Sequence, residues 1–406
     1  MESSIAAAGS VPGARFGALH AHRFLIRIGL SIANVFAWIF VFQYFFLQSQ
    51  SITSALIATV LMYIIAQIAT IVLTPFAAAH LRLGVKRSII YGALISGAAY
   101  IYLGATLAGS FNGEPLGWGI AVFAALYGAY RALYFVPYQL KAVTKDGDRS
   151  RMPLLYEIII ATMPAFAGVS LATLSFGPLR ILFGAAVFMF ISILPLLPLR
   201  DVFEGFSWSY WRTFRELIAR RHKKILATSF VEGVQGAALF LIWPVAVFLI
   251  VGSSYQALGI IVSMTLLLVL ILRKVYRYLI RRIGLEDSVS AHAAFAASGW
   301  IFRIFAGTPS GFIFADTYSN ITLPRRSHSI DIFAYEQAPD QGSYIDEYTT
   351  LKEIGLAIGR IIACILFALL LLYFSVSIAF TIMFILAAIA SAFGIVLERS
   401  ARPSLY

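Results

Sequence analysis

The stretch LRLGVKRS, residues 81–88, sets three cations and one glycine between two long apolar runs. One half-protein later, IRRIGLED, residues 280–287, does the same. Arg82-Leu83-Gly84 and Arg282-Ile283-Gly284 share one form: arginine, a branched apolar residue, glycine. Short basic loops between apolar runs are where a membrane chain turns on its cytoplasmic side. Their recurrence at equivalent places predicts a chain built from two related halves.

Composition agrees with that reading. Of 406 residues, 60% are hydrophobic and only 12% are charged, and the mean hydropathy is +0.85. A soluble domain carries about 25% charged residues, so the chain reads as a polytopic membrane protein. The net charge of +12 would suggest nucleic acid in a soluble protein. Here the cations lie in short loops, the topogenic pattern, and nucleic acid is not an expected partner. The single cysteine, Cys364, lies in an apolar run, which excludes an intramolecular disulfide and multi-thiolate metal ligation. The first apolar run is too long for a signal-peptide core and is expected to remain as the first span.

A helical span needs about 20 apolar residues. Twelve runs qualify: 24–48, 53–79, 88–110, 117–140, 153–176, 179–199, 224–250, 255–272, 286–306, 309–326, 350–373 and 375–397. They are long and non-alternating, which favours helices over a barrel. The eighth and tenth runs are the weakest: one is short with a basic end, the other holds Asp316 and Asn320. If the amino terminus is cytoplasmic, all but four of the 31 Lys and Arg fall on that side. Arg180 alone is outside, and Arg131, Arg303 and Arg360 lie within spans. This bias predicts cytoplasmic termini in a cell (inner) membrane.

The longest inside connection, RDVFEGFSWSYWRTFRELIARRHKK (200–224), divides the runs into two sets of six. The expected division is 1–199, a linker at 200–223, and 224–406. Trp208, Trp211, Phe214, Leu217 and Ile218 share a helical face in the linker, a pattern suited to a helix in the headgroup layer. A second echo links the halves. LLYEI (154–158) opens the fifth run and TLKEI (350–354) the eleventh, each placing a glutamate, Glu157 or Glu353, at a helix mouth.

On these motifs the chain resembles the major facilitator superfamily of transporters. That family's loop signature between spans 2 and 3 has the form G-x-x-x-D-R-x-G-R-[RK]. Arg82, Gly84 and Lys86 match it, while Ala77, Leu81 and Val85 replace the leading Gly, the Asp and a basic residue. Glu353 and Arg360 resemble the E-x6-R element of sugar-porter members, and the first half keeps Glu157 but has Pro164 in place of the arginine. The resemblance implies an all-α fold of 12 transmembrane helices in two pseudo-symmetric six-helix halves. It implies secondary transport by alternating access, with the central cavity lined by spans 1, 4, 7 and 10. Arg82, Gly84, Lys86, Glu157, Arg282, Gly284, Glu353 and Arg360 become candidates for a cytoplasmic gate, whose strong part is expected at Glu353 and Arg360 because Leu81 replaces the Asp.

A charge at mid-bilayer costs roughly 2.5–3.5 kcal/mol on insertion scales, so each should face a cavity or a partner. Tyr127, Arg131, Tyr134 and Tyr138 form one stripe on span 4, with Arg131 the leading candidate for an anionic group or a coupling carboxylate. Span 7 carries Glu232, Gln235 and Trp243, then Pro244. Asp316 and Asn320 on span 10, Gln67 on span 2 and Asn34 on span 1 complete the substrate and coupling candidates. Glu232 or Asp316 could carry a coupling proton. Arg303, near a span end, is expected to snorkel. No phosphate loop, metal-ligand cluster or nucleophile elbow is present in the sequence, so neither an enzyme nor a cofactor is expected. The expected partners are the lipid bilayer, a small solute and coupling protons, and the chain is expected to act as a monomer. A lipid transporter or flippase of the same fold and a non-transporting membrane protein are the alternative readings.

Overall fold

The computed structural model describes residues 12–109, 116–143, 154–173, 177–199, 201, 203, 206–285, 288–322 and 345–401. Among them every regular element is helical. The first six long helices are α1 (Pro12–Ser49), α2 (Ile52–His80), α3 (Val85–Leu107), α4 (Leu116–Val143), α5 (Leu154–Thr173) and α6 (Pro178–Ile191). A short helix α7 (Tyr210–Ile218) lies in the linker. Beyond it come α8 (Lys223–Ala237), α9 (Trp243–Ile250), α10 (Tyr255–Arg282), α11 (Val289–Phe305), α12 (Pro309–Thr322), α13 (Ile345–Tyr373) and α14 (Val376–Ala401).

Serine side chains open several of these helices. Ser51, Ser209, Ser254 and Ser288 each accept a hydrogen bond from the backbone N–H three residues on, which satisfies an orphan donor of the first turn. Between α8 and α9 the chain makes one wide turn at Ala238–Ile242, a π segment, directly before Trp243 and Pro244. Pro244 cannot donate to the carbonyl four residues back and its ring would strike it. Widening the preceding turn is the local answer, and it bends a single span rather than ending it.

Nine helices among the described residues are long and apolar enough to cross a membrane, so the chain is a multi-pass membrane protein. The eighth run, expected to be short, is instead one of these nine: α10 continues through the basic residues to Arg282. Of the tenth run, the described residues form α12, which is outside the nine.

The packing partners follow a repeated scheme. In the first set, α1 packs on α5 and α6, α2 on α4, and α3 on α4 and α6. In the second, α8 packs on α13 and α14, α10 on α12, and α11 on α12 and α14. The two sets touch chiefly through α2 with α13 and through α5 with α10. At the second seam Gly168 and Gly259 face one another. A Cβ on Gly168 would come 2.4 Å from the Tyr255 carbonyl oxygen, and one on Gly259 equally close to that of Pro164. These helices can lie this near only because neither glycine has a side chain. The Ala165 N–H, next to Pro164, donates to Ser263 Oγ of α10 at 2.8 Å.

Candidate functional site

The buried charges gather where α4, α2 and α13 meet. Arg131 stands on α4 twelve residues before its basic end, Glu353 on α13 eight residues after its start. Arg131 Nη2 lies 3.7 Å from Glu353 Oε2, and both side chains are buried. Two helical turns deeper on the same face of α13, the Arg360 guanidinium donates to Gln67 Oε1 of α2 at 3.4 Å. Arg131 also lies over the Phe135 ring at 4.9 Å. Both polar contacts therefore join the α1–α6 set to the α8–α14 set. The sequence placed Glu353 and Arg360 in one latch; the structure gives each a partner in the other set.

Beside this cluster stands an aromatic wall. Trp38 of α1 meets Tyr63 of α2 at 5.0 Å and Tyr127 of α4 at 5.8 Å between ring centres. Asn34 accepts a hydrogen bond from Tyr100 on α3, and Gln235 is buried on α8. Tyr134 turns away from Arg131's partner toward α1. Its hydroxyl lies 3.0 Å from His22 Nε2, and His22 Nδ1 lies 2.7 Å from the Ser192 carbonyl. A carbonyl only accepts, so Nδ1 carries the proton in that bond. His22 was not singled out by the sequence reading; its place in a basic amino-terminal stretch hid its burial. The side chain of Tyr138 lies outside the described residues.

A second charged cluster lies wholly within the α8–α14 set. Asp316 Oδ1 accepts from Arg303 Nε at 2.9 Å and Nη2 at 2.8 Å, and Oδ2 accepts from Trp243 Nε1 at 2.9 Å. Arg303 is sandwiched near Trp300 at 4.2 Å and Trp243 at 5.2 Å. The expectation that Arg303 snorkels is thus overturned: it is 2% exposed. A guanidinium with a carboxylate and two indole faces in reach is more stable inside than at the surface. Asn320 reaches the Asp316 carbonyl on its own helix. Glu232 lies 3.8 Å from Lys352 of α13, again within the second set.

The basic loop that opened the sequence reading grips the segment after α6. Arg82 donates to the Phe206 carbonyl, with Nε at 2.9 Å. Asp201 Oδ1 accepts the Lys86 backbone N–H at 2.7 Å, and Lys86 Nζ reaches the Leu199 carbonyl at 2.7 Å. Asp201 thus supplies a carboxylate at the mouth of α3, next to the place where Leu81 lacks one. Gly84 holds a φ of +131°, and a Cβ there would come 2.1 Å from Asp201 Oδ2, so both conformation and space require glycine. Gly284, at φ +73°, only ends α10: the Leu285 N–H bonds back to Ile280, and a Cβ there would meet no neighbouring element within 4 Å. Arg282 beside it is exposed. The two echoes of the sequence are alike in letters and different in work. Glu157 and Glu353 diverge too. Glu157 is half-buried and interacts with Arg273 of α10, whereas Glu353 is fully buried.

One more junction ties the sets together at this face. Ser207 donates through both N–H and Oγ to Glu347 Oε1 at the start of α13. Adjacent linker residues therefore hold the first set through Phe206 and Arg82, and the second through Ser207 and Glu347. Within α7, Thr213 and Glu216 face inward while Trp211 and Ile218 are 76% and 85% exposed. Glu216 accepts from Arg221 Nε at 3.0 Å. That bond to Arg221 holds its carboxyl below the usual carboxylate range.

Among the described residues no group of three or more His, Cys, Asp or Glu is placed to hold a metal ion. No protein-family model and no curated protein matches the chain. Solved structures do. A bacterial homologue of the iron transporter ferroportin, in its inward-facing state, superposes with a TM-score of 0.62 at 15% identity, over 97% of this chain and 100% of that one. The POT family transporter PepTSo gives 0.64 at 13% identity, over 95% and 98%. A D-xylose-proton symporter gives 0.60 at 10% identity, over 93% and 96%. At these identities the likeness concerns the fold, which is the major facilitator fold that the loop motifs implied.

Proposed function

We propose that the chain is a secondary transporter that moves a small solute by alternating access between two six-helix halves. In this reading twelve helices span the cell membrane, residues 1–199 and 224–406 form the halves, and 200–223 is the linker on the cytoplasmic, basic face. The observation that carries it is the pair of buried polar contacts, Arg131–Glu353 and Arg360–Gln67, which join the two sets of a fold shared with solved transporters. Charges buried at a seam make poor permanent glue, because part of their attraction only repays desolvation. They are well suited to a contact that forms in one packing and is replaced by water or solute in the other. Near the opposite face the seam is closed differently, by Phe40 and Phe248 about Tyr255, at 5.4 Å and 5.2 Å, and by the Gly168–Gly259 approach.

The solute would bind between the Trp38–Tyr127 wall and the Arg131–Glu353–Arg360 cluster, where aromatic faces and guanidinium donors converge. For coupling, the reading favours a proton on Glu232 over one on Asp316, since Asp316 is held by three hydrogen bonds from Arg303 and Trp243. The test is a solute screen by thermal stabilisation of the purified chain, followed by flux of each hit into proteoliposomes with and without a pH gradient. Transport of a hit that is lost in Arg131→Ala supports the reading. Flux unaffected by Arg131→Ala and Glu353→Gln together would overturn the assigned site. Flux indifferent to the gradient and to Glu232→Gln would remove the proton.

A further inference from the structure

The charges at the seam do not balance. Two guanidiniums, Arg131 and Arg360, stand there against one carboxylate, Glu353. Glu232, Asp316 and Glu157 are matched by cations of their own, Lys352, Arg303 and Arg273. The cluster therefore carries one positive charge in excess, and a buried charge without compensation is costly. That surplus acts on the aromatic wall, because wall and cluster are one continuous surface. Tyr63 and Gln67 are one turn apart on α2, and Tyr127 and Arg131 are one turn apart on α4. The charged groups that reach the Tyr63 hydroxyl are Arg360 first and Arg131 second. Arg360 is packed against the seam from α8 as well: a Cβ on Gly236 would come 3.3 Å from its Nε.

Gln67 adds to the imbalance. Guanidinium nitrogens only donate, so this amide turns its oxygen to Arg360 and its Nε2 donor elsewhere. That Nε2 is buried with no hydrogen-bond partner among the described residues. The site is closed in this structure: Trp38, Tyr63, Gln67, Arg131, Glu353 and Arg360 are all buried. A solute enters only as α2 and α4 part from α13, and parting leaves cations and donors in excess of acceptors. A cation would meet two like charges there, and a neutral solute would leave the surplus uncompensated. A guanidinium beside an amide donor suits the two oxygens of a carboxylate, while the rings of Trp38, Tyr63 and Tyr127 suit a flat apolar body. We propose, resting on the transport reading of this site, that its solute is a small organic monoanion, a carboxylate on such a body. The carboxylate accepts from Arg360 and Gln67, and the body lies against the aromatic wall.

The test offers the purified full chain matched acids, amides and amidines on acetyl, benzoyl and naphthoyl bodies, with sodium chloride at equal ionic strength, and reads thermal stabilisation. Within each set the shape is nearly constant and only the charge changes. An aromatic acid should bind at least about tenfold more tightly than its amide, and its amidine should not bind. Arg360→Gln should weaken the acid roughly tenfold to a hundredfold and the amide little, as loss of a charge-assisted hydrogen bond implies. Glu353→Gln adds to the positive surplus, so it should tighten the acid even where it impairs flux; a cationic solute would be lost from the same variant. That reversal decides the matter should Arg360→Gln fail to fold. An amide or amidine that outdoes every acid, chloride that stabilises as strongly as the acids, or an absence of stabilisation by any acid would overturn the proposal. An amide or amidine that also crosses proteoliposome membranes through the chain would overturn it and keep the transport reading. An acid that binds as described but does not cross would keep the anion site and remove transport.

Discussion

Arg131 and Glu353 lie on helices more than two hundred residues apart in sequence, and each would be costly to bury alone. Because removing one partner strands the other, Glu353→Gln or Arg131→Gln should loosen the basic side of the seam. Spin labels at the end of α4 that follows Arg131 and at the start of α13 should report a longer mean separation in either variant, and the double variant should add little to the larger single effect. Additive effects would show that the two residues act apart. The Arg303–Asp316 pair makes the opposite prediction. It lies within one set, so breaking it should cost stability and leave that separation unchanged. Asp316→Asn should lower the melting free energy by roughly 3–5 kcal/mol, the usual cost of stranding a buried charge. Arg303→Met with Asp316→Leu should recover part of it. A destabilised Asp316→Asn chain that also opens at α4–α13 would contradict the assignment.

At the scale of elements, the α8–α9 span and the linker carry the distinctive features. The π segment exists because Pro244 follows it, so Pro244→Ala should let the hydrogen-bond ladder close and straighten the span. Hydrogen exchange at Ala238–Ile242 should then slow; unchanged exchange would mean that the wide turn has another cause. In the linker, Glu216 has its carboxyl lowered by Arg221. A group depressed on folding contributes stability above its ordinary unfolded value and loses it as pH falls through the folded one. Acidification below about pH 4 should therefore release α7 before the membrane helices melt, read as early loss of Trp211-region proteolytic protection. Glu216→Gln should release α7 already at neutral pH. The long helices were legible from their apolar runs, and the break at Pro244 from its proline. α1 and α10 outran their apolar runs, starting at Pro12 and ending at Arg282, because cations at a membrane face can continue a helix as readily as end it.

For the whole molecule, the linker holds both sets, through Phe206 with Arg82 and Ser207 with Glu347. Ser207→Pro removes both the N–H and the hydroxyl offered to Glu347. It should shift the α4–α13 separation in the same direction as Glu353→Gln, with a smaller amplitude because the contact lies nearer water. A shift in the opposite direction would mean that the linker holds the seam open.

The sequence by itself determined the class of this protein: apolar runs of spanning length and cations concentrated in their connections describe a multi-pass helical membrane chain, because in lipid the backbone must satisfy itself. It also marked Arg131, Glu353 and Arg360 as charges that need partners. Which partners they have was decided by tertiary structure alone. Hydropathy and helical period act along one segment, and they are blind to which segments face one another. That is why Glu353 could be paired on paper with Arg360, its neighbour two turns away, while the fold gives it Arg131 across the seam. It is also why LRLGVKRS and IRRIGLED, so similar in letters, part company. Asp201 comes to rest against Gly84 and so makes the first loop a docking point, while the glycine of the second simply ends a helix.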